Sequence, residues 1–147
     1  MAFLRSMSKP DLTPVILGHG VYLRNPQIGD FAQWAALREK SRDFLTPWEP
    51  TWAPDDLTKP SFRRRLRRYQ REIREGQAHP FFIFREEDDV LLGGCTLSGV
   101  QRGVQQSCTL GYWAGENHAG RGYVTAAVRA LIPFVFEELK LHRLQAA

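Results

Sequence analysis

The chain of 147 residues is 43% hydrophobic and 24% charged, with a net charge of +4, which is typical of one soluble globular domain with a buried core. It has no signal-peptide pattern and no apolar run near the roughly eighteen residues of a membrane span, so we expect a cytoplasmic protein. Cys95 and Cys108 lie in strand-like sequence without metal-type spacing, which indicates reduced core residues and no metal site.

The first part of the chain predicts an interrupted strand and one helix. Residues 15–24 read as strand sequence interrupted by a Gly-His-Gly turn. A cap at Gly29 and Asp30 precedes apolar residues that recur at helical spacing to about Ser41. Residues 42–58 contain three prolines and two tryptophans. This segment predicts no regular structure, although it is too apolar for a disordered linker.

A basic helix is predicted over residues 60–75, ending at Gly76. One narrow apolar stripe runs along it: Phe62, Leu66, Tyr69, Gln70 and Ile73. Residues 59–76 hold eight basic and two acidic side chains, so this segment carries +6 and the remainder −2. Ion pairs at i, i+4 spacing are expected for Arg68–Glu72 and Arg71–Glu75. The arginines therefore form either a solvated helix face or a surface for an acidic partner.

The second part predicts a hairpin, a further strand, a long helix and a last strand. The hairpin pairs residues 81–84 with 90–97 across an acidic turn, and the next strand covers 106–114. Helix 122–140 contains Pro133, so we expect a kink where the bond to the Arg129 carbonyl is lost. The last strand, 141–147, follows a helical crossover and should run parallel to its neighbour. The fold class is α/β (α+β), with a mixed, mostly antiparallel sheet.

The segment between strand 106–114 and the long helix is the most informative one. Residues 110–125 read as a strand end, a glycine-bearing loop and the first turn of a helix. Such a loop leaves backbone N–H groups unpaired at a helix N-terminus, where the helix dipole adds partial positive charge. Phosphate binds well at such a place. The alternative is an ordinary strand-to-helix turn whose glycines allow tight packing.

The pattern Asn117-x-x-Gly120-x-Gly122 between a strand and a long helix resembles the acetyl-CoA-binding core of the GNAT superfamily of N-acetyltransferases. The family signature begins with Arg or Gln, so Asn117 is a departure. Further segments resemble the ribosomal-protein-alanine N-acetyltransferase branch: Phe44-Leu45-x-Pro47-Trp48, Pro80-Phe81-Phe82-Ile83, Leu110-Gly111-Tyr112-Trp113, residues 118–125 and Leu141-His142-Arg143. The resemblance covers nearly the whole chain from about Val15, as one domain of residues 1–147.

The resemblance implies that acetyl-CoA is the co-substrate. Backbone N–H groups of the loop would hold the CoA pyrophosphate, and pantetheine would lie along the preceding strand like an added strand. The implied cofactor-binding residues are Tyr112, Trp113, Ala114, Ala119, Gly120, Arg121, Gly122, Tyr123 and Thr125. One strand N–H would polarise the thioester carbonyl. The loop with Phe44 and Trp48 is implied as a wall of the acceptor pocket, a hydrophobic lid on the core being the alternative.

The resemblance does not assign the catalytic acid or base. His118 adjoins the loop, where contact with phosphate or solvent is expected in preference to catalysis, and Glu116 shows no partner. In the resembled family a further helix and a closing antiparallel pair follow the last strand seen here, and they commonly carry such side chains. We therefore expect an incomplete domain, lacking its C-terminal helix and strands. Its exposed last strand would either continue into a larger enzyme or be covered by a partner chain, as in a homodimer.

The function that the resemblance implies is direct transfer of an acetyl group from acetyl-CoA to a protein N-terminal α-amine, that of a ribosomal protein. A small-molecule amine acetyltransferase would have the same fold and loop. A third hypothesis is a non-catalytic remnant that binds CoA or RNA. The basic helix favours it, because that helix could contact ribosomal RNA.

Overall fold

The computed structural model describes residues 15–146, in which six strands form one sheet in chain order. The strands are β1 (Ile16–Leu17), β2 (Val21–Arg24), β3 (His79–Arg85), β4 (Leu91–Gln101), β5 (Ser107–Ala114) and β6 (Arg143–Ala146). The helices are α1 (Phe31–Lys40), α2 (Arg42–Leu45), α3 (Lys59–Arg74) and α4 (Tyr123–Pro133). Neighbouring strands are antiparallel except β5 and β6, which are parallel. The predicted mixed, mostly antiparallel sheet is confirmed.

Alternating side chains of β3 divide the core between the two faces of the sheet. Phe81 and Ile83 pack with the apolar side of α4, while Phe82 and Phe84 pack with α1 and α3. All four are at most 4% exposed. Burial of an aromatic or branched aliphatic side chain stabilises a fold by about 1.5–3 kcal/mol. The sheet is therefore covered on both faces, and β5 contributes Leu110 to the α4 side and Trp113 to the α1 and α3 side.

The basic helix α3 begins and ends as its sequence predicts. Thr58 caps it by accepting a hydrogen bond from the Ser61 N–H, and Gly76 follows its last turn with φ +69°. Among the described residues, however, neither predicted intrahelical ion pair forms: Arg68–Glu72 and Arg71–Glu75. Two arginines of α3 pair instead with the preceding loop: Arg64 with Asp55 at 3.2 Å and Arg65 with Asp56 at 3.6 Å.

Residues 42–58 are more regular than predicted. Arg42–Leu45 form α2, and a 3₁₀ turn at Thr46–Trp48 continues it. The prediction was wrong because Pro47 lies in the first turn of the 3₁₀ segment, where its missing N–H costs nothing. The Thr46 hydroxyl also donates to the Arg42 carbonyl and closes the preceding turn.

The proline of the last helix changes its hydrogen-bond pattern. The α-helical part ends at Pro133, and a π-helical turn, Phe134–Glu138, carries the chain on, with the Leu139 N–H donating to the Phe134 carbonyl at 2.9 Å. The predicted disruption at Pro133 is thus confirmed, although it is a π turn and not a simple kink.

Both cysteines are free and buried in the core, as predicted. Burial raises the pKa of the Cys95 thiol to about 12 and also raises the pKa of Cys108. Within residues 15–146, no helix is both long and apolar enough to cross a membrane.

Candidate active site

The loop between β5 and α4 presents backbone N–H groups at the start of a helix. Gly120 and Gly122 have φ angles of +74° and +83°, a left-handed conformation that glycine adopts without strain. Gly122 occupies the N-cap position of α4, and because glycine has no side chain it cannot accept a hydrogen bond from the N–H groups of the first turn. The N–H groups of Gly122 and of the first turn, residues 123–125, donate to no acceptor in the described part of the chain. This helix N-terminus can therefore receive an anion, and we call the preceding residues 115–122 the anion-binding loop.

The beginning of the loop is fastened to the end of α1. Gly115 packs so closely on Leu37 that a Cβ there would lie 2.5 Å from Leu37 Cδ1. One residue later, the Glu116 N–H donates to the buried Ser41 hydroxyl at 2.9 Å. These contacts fix the direction in which the chain leaves β5.

An open groove of about 700 Å³ runs from β5 to the N-terminus of α4, and we call it the β5–α4 groove. Strand β6 pairs with Ser107–Leu110 only, so within the described residues the β6-side edge of Gly111–Ala114 faces this groove. Because the Gly115 N–H donates to the Leu92 carbonyl of β4, strand alternation points the peptide groups of Tyr112 and Ala114 away from β4. The groove thus has a free strand edge along one side.

Most residues predicted to bind the cofactor meet in this groove. It is lined by Tyr112, Trp113, Ala114, Ala119, Gly120, Gly122, Tyr123 and Thr125. Arg121 is exposed and is not part of the lining. Phe44 and Trp48, predicted as acceptor residues, also line this groove and are 39% and 85% exposed. They thus lie beside the predicted cofactor residues.

His118 also lines the groove, and its ring packs edge-on against Tyr123 with the centroids 6.5 Å apart. Burial lowers the pKa of this imidazole, and the positive charges of Arg85 and Arg121 lower it further. His118 is therefore a neutral hydrogen-bonding group at pH 7 that borders the anion-binding loop.

A second cavity, of about 370 Å³, lies on the α1 and α3 side of the sheet. We call it the α1–α3 cavity; its lining includes Trp34, Arg38, Glu49, Trp52, Asp56, Arg65, Tyr69, Gly94 and Trp113. Glu49 and Trp113 line both this cavity and the β5–α4 groove. The two spaces therefore adjoin at these side chains.

Arg38 organises the junction. Its guanidinium donates to both Glu49 carboxylate oxygens, at 2.8 and 3.0 Å, and lies between two indole rings, 4.5 Å from the Trp52 centroid and 4.8 Å from that of Trp113. The Trp52 indole also donates to Glu49, at 2.9 Å. The Arg38 side chain is only 9% exposed, and its Nε has no hydrogen-bond partner within residues 15–146. The carboxylate of Glu49 is thereby held in one orientation.

The α1–α3 cavity was not predicted from the sequence. Arg38 and Glu49 are eleven positions apart, and Trp113 lies on a distant strand, so no local periodicity brings them together. The tight fit is visible only in three dimensions: a Cβ on Gly94 would lie 2.6 Å from Trp113 Nε1. The only sequence signal was the concentration of tryptophan and acidic residues in residues 48–56.

The fold, the anion-binding loop and the free strand edge together describe a protein that can bind an anionic ligand along a strand edge. A family model described as acetyltransferase (GNAT) domain matches residues 21–147. The chain belongs to the GNAT acetyltransferase family.

Two relatives with assigned names are similar to this chain over most of its length. The chain is 33% identical over 132 residues to the probable N-acetyltransferase YjcK of Bacillus subtilis, covering 90% of this chain and 73% of the relative. It is 29% identical over 107 residues to the ribosomal protein uS5-alanine N-acetyltransferase of Escherichia coli, covering 73% of this chain. That match spans 55% of the Escherichia coli protein, about half its length.

A solved structure confirms the fold. RimJ of Mycobacterium smegmatis, in complex with CoA-disulfide, superposes with a TM-score of 0.81 at 29% sequence identity. The match covers 93% of this chain and 67% of the RimJ chain. The chain is thus similar in fold to a protein solved in complex with a CoA disulfide.

Proposed function

We propose that this chain transfers the acetyl group of acetyl-CoA directly to the N-terminal α-amine of a ribosomal protein. The observation that carries the proposal is the row of unpartnered N–H groups at residues 122–125, opening onto the same groove as the free edge of Gly111–Ala114. The name of the Escherichia coli relative, a ribosomal protein uS5-alanine N-acetyltransferase, supports the acceptor class. A small-molecule amine remains the alternative acceptor, because the same groove would serve it.

In the proposed complex, the pyrophosphate and the pantetheine arm of acetyl-CoA would occupy two different parts of the β5–α4 groove. The pyrophosphate would accept hydrogen bonds from the N–H groups at the start of α4, where the helix dipole is positive. The pantetheine amides would pair with the outward peptide groups of Tyr112 and Ala114, in the manner of an added strand. Phe44 and Trp48, which also line the groove, would cover this arm. The bound CoA–RimJ complex supports the choice of ligand.

The α1–α3 cavity is the proposed acceptor site, because it adjoins the cofactor groove at Glu49 and Trp113. An N-terminal ammonium group would be attracted to Glu49, whose side chain is 21% exposed while Arg38 fixes its orientation. The apolar rings of Trp34 and Trp52 would contact the first side chain of the acceptor. Glu49 is thus proposed as an acceptor-binding residue.

Bound acetyl-CoA supplies the acetyl group as an activated thioester. The acceptor ammonium first loses one proton to solvent, so that the neutral amine can form the C–N bond. As the C–S bond breaks and the amide forms, the nitrogen loses its second proton, and the thiolate takes up one proton to leave as the CoA thiol. The chain contributes by holding both reactants at the junction and by aiming a strand N–H at the thioester carbonyl. The proton carriers would be ordered water molecules beside Glu49 and His118.

Calorimetric titration with acetyl-CoA, followed by a CoA-release assay with a panel of amines, tests the proposal. The panel comprises a ribosomal N-terminal peptide, the same peptide with a blocked α-amine, and spermidine. We expect binding, and CoA release with the free peptide only. Release with spermidine alone would favour the small-molecule acceptor. Binding without release on any amine would favour a remnant that only binds CoA.

A further inference from the structure

The solvent side of α3 is a stripe of arginines. The packed side buries Phe62 and Leu66 against the sheet. On the opposite side, six arginines are exposed: Arg63, Arg64, Arg67, Arg68, Arg71 and Arg74. At 1.5 Å per residue, the stripe extends over about 16 Å. None of these six arginines lines the β5–α4 groove or the α1–α3 cavity.

Most of these charges are not neutralised by the described residues. Arg64 pairs with Asp55, but the other five form no ion pair with an acidic side chain in residues 15–146. Like charges at i, i+4, such as Arg63 and Arg67, repel each other and destabilise a helix. A surface that keeps this repulsion is suited to a polyanion, which would relieve it.

Both a membrane surface and a nucleic acid present many negative charges, and the side chains of α3 favour the nucleic acid. An interfacial membrane helix needs exposed apolar side chains beside its cations. The large exposed apolar residues of the described chain lie elsewhere, among them Ile28, Trp48 and Ile132, and none is on α3. Arginine forks match phosphate oxygens in a bidentate manner, and a basic stripe along a helix is the electrostatic footprint of nucleic-acid binding.

We propose that the exposed face of α3 binds the phosphate backbone of RNA, without reading base sequence. The same helix contributes Arg65 and Tyr69 to the wall of the α1–α3 cavity. RNA bound to the outer face would therefore lie beside the proposed acceptor entrance, as a protein N-terminus on a ribonucleoprotein particle requires. RNA binding itself is independent of the proposed acetyl transfer, and only this link to the acceptor rests on it.

Fluorescence anisotropy with a labelled RNA hairpin, at salt concentrations from 50 to 200 mM, tests the proposal. Five phosphate contacts, at about 0.9 released ions each, predict a loss of affinity of about 500-fold over that range. The variant R63Q/R67Q/R71Q retains two contacts and should lose only about tenfold over the same range, from a weaker starting affinity. Its melting temperature should be close to that of wild type, which would show that the protein still folds.

A matched variant, R129Q/K140Q/R143Q, removes three exposed charges from other surfaces and should bind the hairpin like wild type. Equal weakening by both variants would mean that net charge alone drives binding and would overturn the proposal. So would a salt-independent affinity, binding of duplex DNA but not RNA, or equally tight binding of polyglutamate. Acetyl-CoA titration of R63Q/R67Q/R71Q should be unchanged, which separates this surface from the transfer site.

Discussion

The Ser41 hydroxyl accepts the hydrogen bond of the Glu116 N–H at 2.9 Å, joining the end of α1 to the second residue of the anion-binding loop. Ser41 is fully buried, and no other described group replaces its hydroxyl as acceptor. The position of the loop therefore depends on α1, which also carries Arg38 of the α1–α3 cavity. Both halves of the proposed site share this one helix.

S41A should therefore weaken both stability and cofactor binding. Loss of the acceptor leaves the Glu116 N–H unsatisfied, at about 1 kcal/mol, which lowers Tm by about 2–4 °C in a chain of this size. The Kd for acetyl-CoA should rise as well, because the loop loses its anchor. The control is S107A, a buried serine at the opposite end of β5. An equal rise in Kd in S107A would contradict this role for Ser41.

G122A tests the left-handed cap of α4. An alanine at φ +83° costs about 1–2 kcal/mol, and relief of that strain would redirect the N–H groups that follow. We expect the Kd for acetyl-CoA to rise at least about tenfold, measured by calorimetry. G20A is the matched control, since Gly20 has φ +74° and open space around it but lies in the β1–β2 turn. Both variants should lose similar stability, and only G122A should lose affinity.

E49Q tests the proposed acceptor site. Removing the charge leaves Arg38 with a weaker partner and the acceptor ammonium without its counter-charge, so the KM for a peptide should rise about tenfold or more. The Kd for acetyl-CoA should change little. E39Q is the control, because Glu39 also pairs with an arginine, Arg42, but on the exposed surface. A KM unchanged in E49Q would place the acceptor elsewhere.

The stability of the protein should fall in mild acid because of His79. Burial, and secondarily Arg102, lowers the pKa of this imidazole, whose Nε2 is buried and finds no hydrogen-bond partner in the described part of the chain. The unfolded chain then binds the proton more readily, so the free energy of unfolding decreases as pH falls below about 6.5. Denaturant unfolding between pH 5 and 8 should show a shallower decrease in H79Q than in wild type. H142Q, at an exposed histidine, should follow wild type.

Much of the architecture could be predicted from the sequence, because it rests on local patterns. The apolar stripe and caps fix α3, the crossover helix fixes the parallel pair, and the glycines at 120 and 122 fix the anion-binding loop. The groove itself follows from that loop and from β5. These features depend on residues that are close in the chain.

The α1–α3 cavity could not be predicted, because its parts are far apart in sequence. Arg38, Glu49 and Trp113 come from a helix, a loop and a strand, and the indole of Trp113 fits only because residue 94 is a glycine. The ion pairs of Arg64 with Asp55 and of Arg65 with Asp56 were not predicted for the same reason, since they join α3 to a loop and follow no helical spacing. The structure gives no reason why Arg68–Glu72 and Arg71–Glu75 do not pair among the described residues.

Tandem mass spectrometry of a ribosomal N-terminal peptide, incubated with the protein and acetyl-CoA, tests the central claim most directly. The account predicts one acetyl group, located on the α-amine, with G20A as active per folded molecule as wild type and G122A much less active at limiting acetyl-CoA. An unmodified peptide, at acetyl-CoA concentrations that saturate the groove, would contradict it.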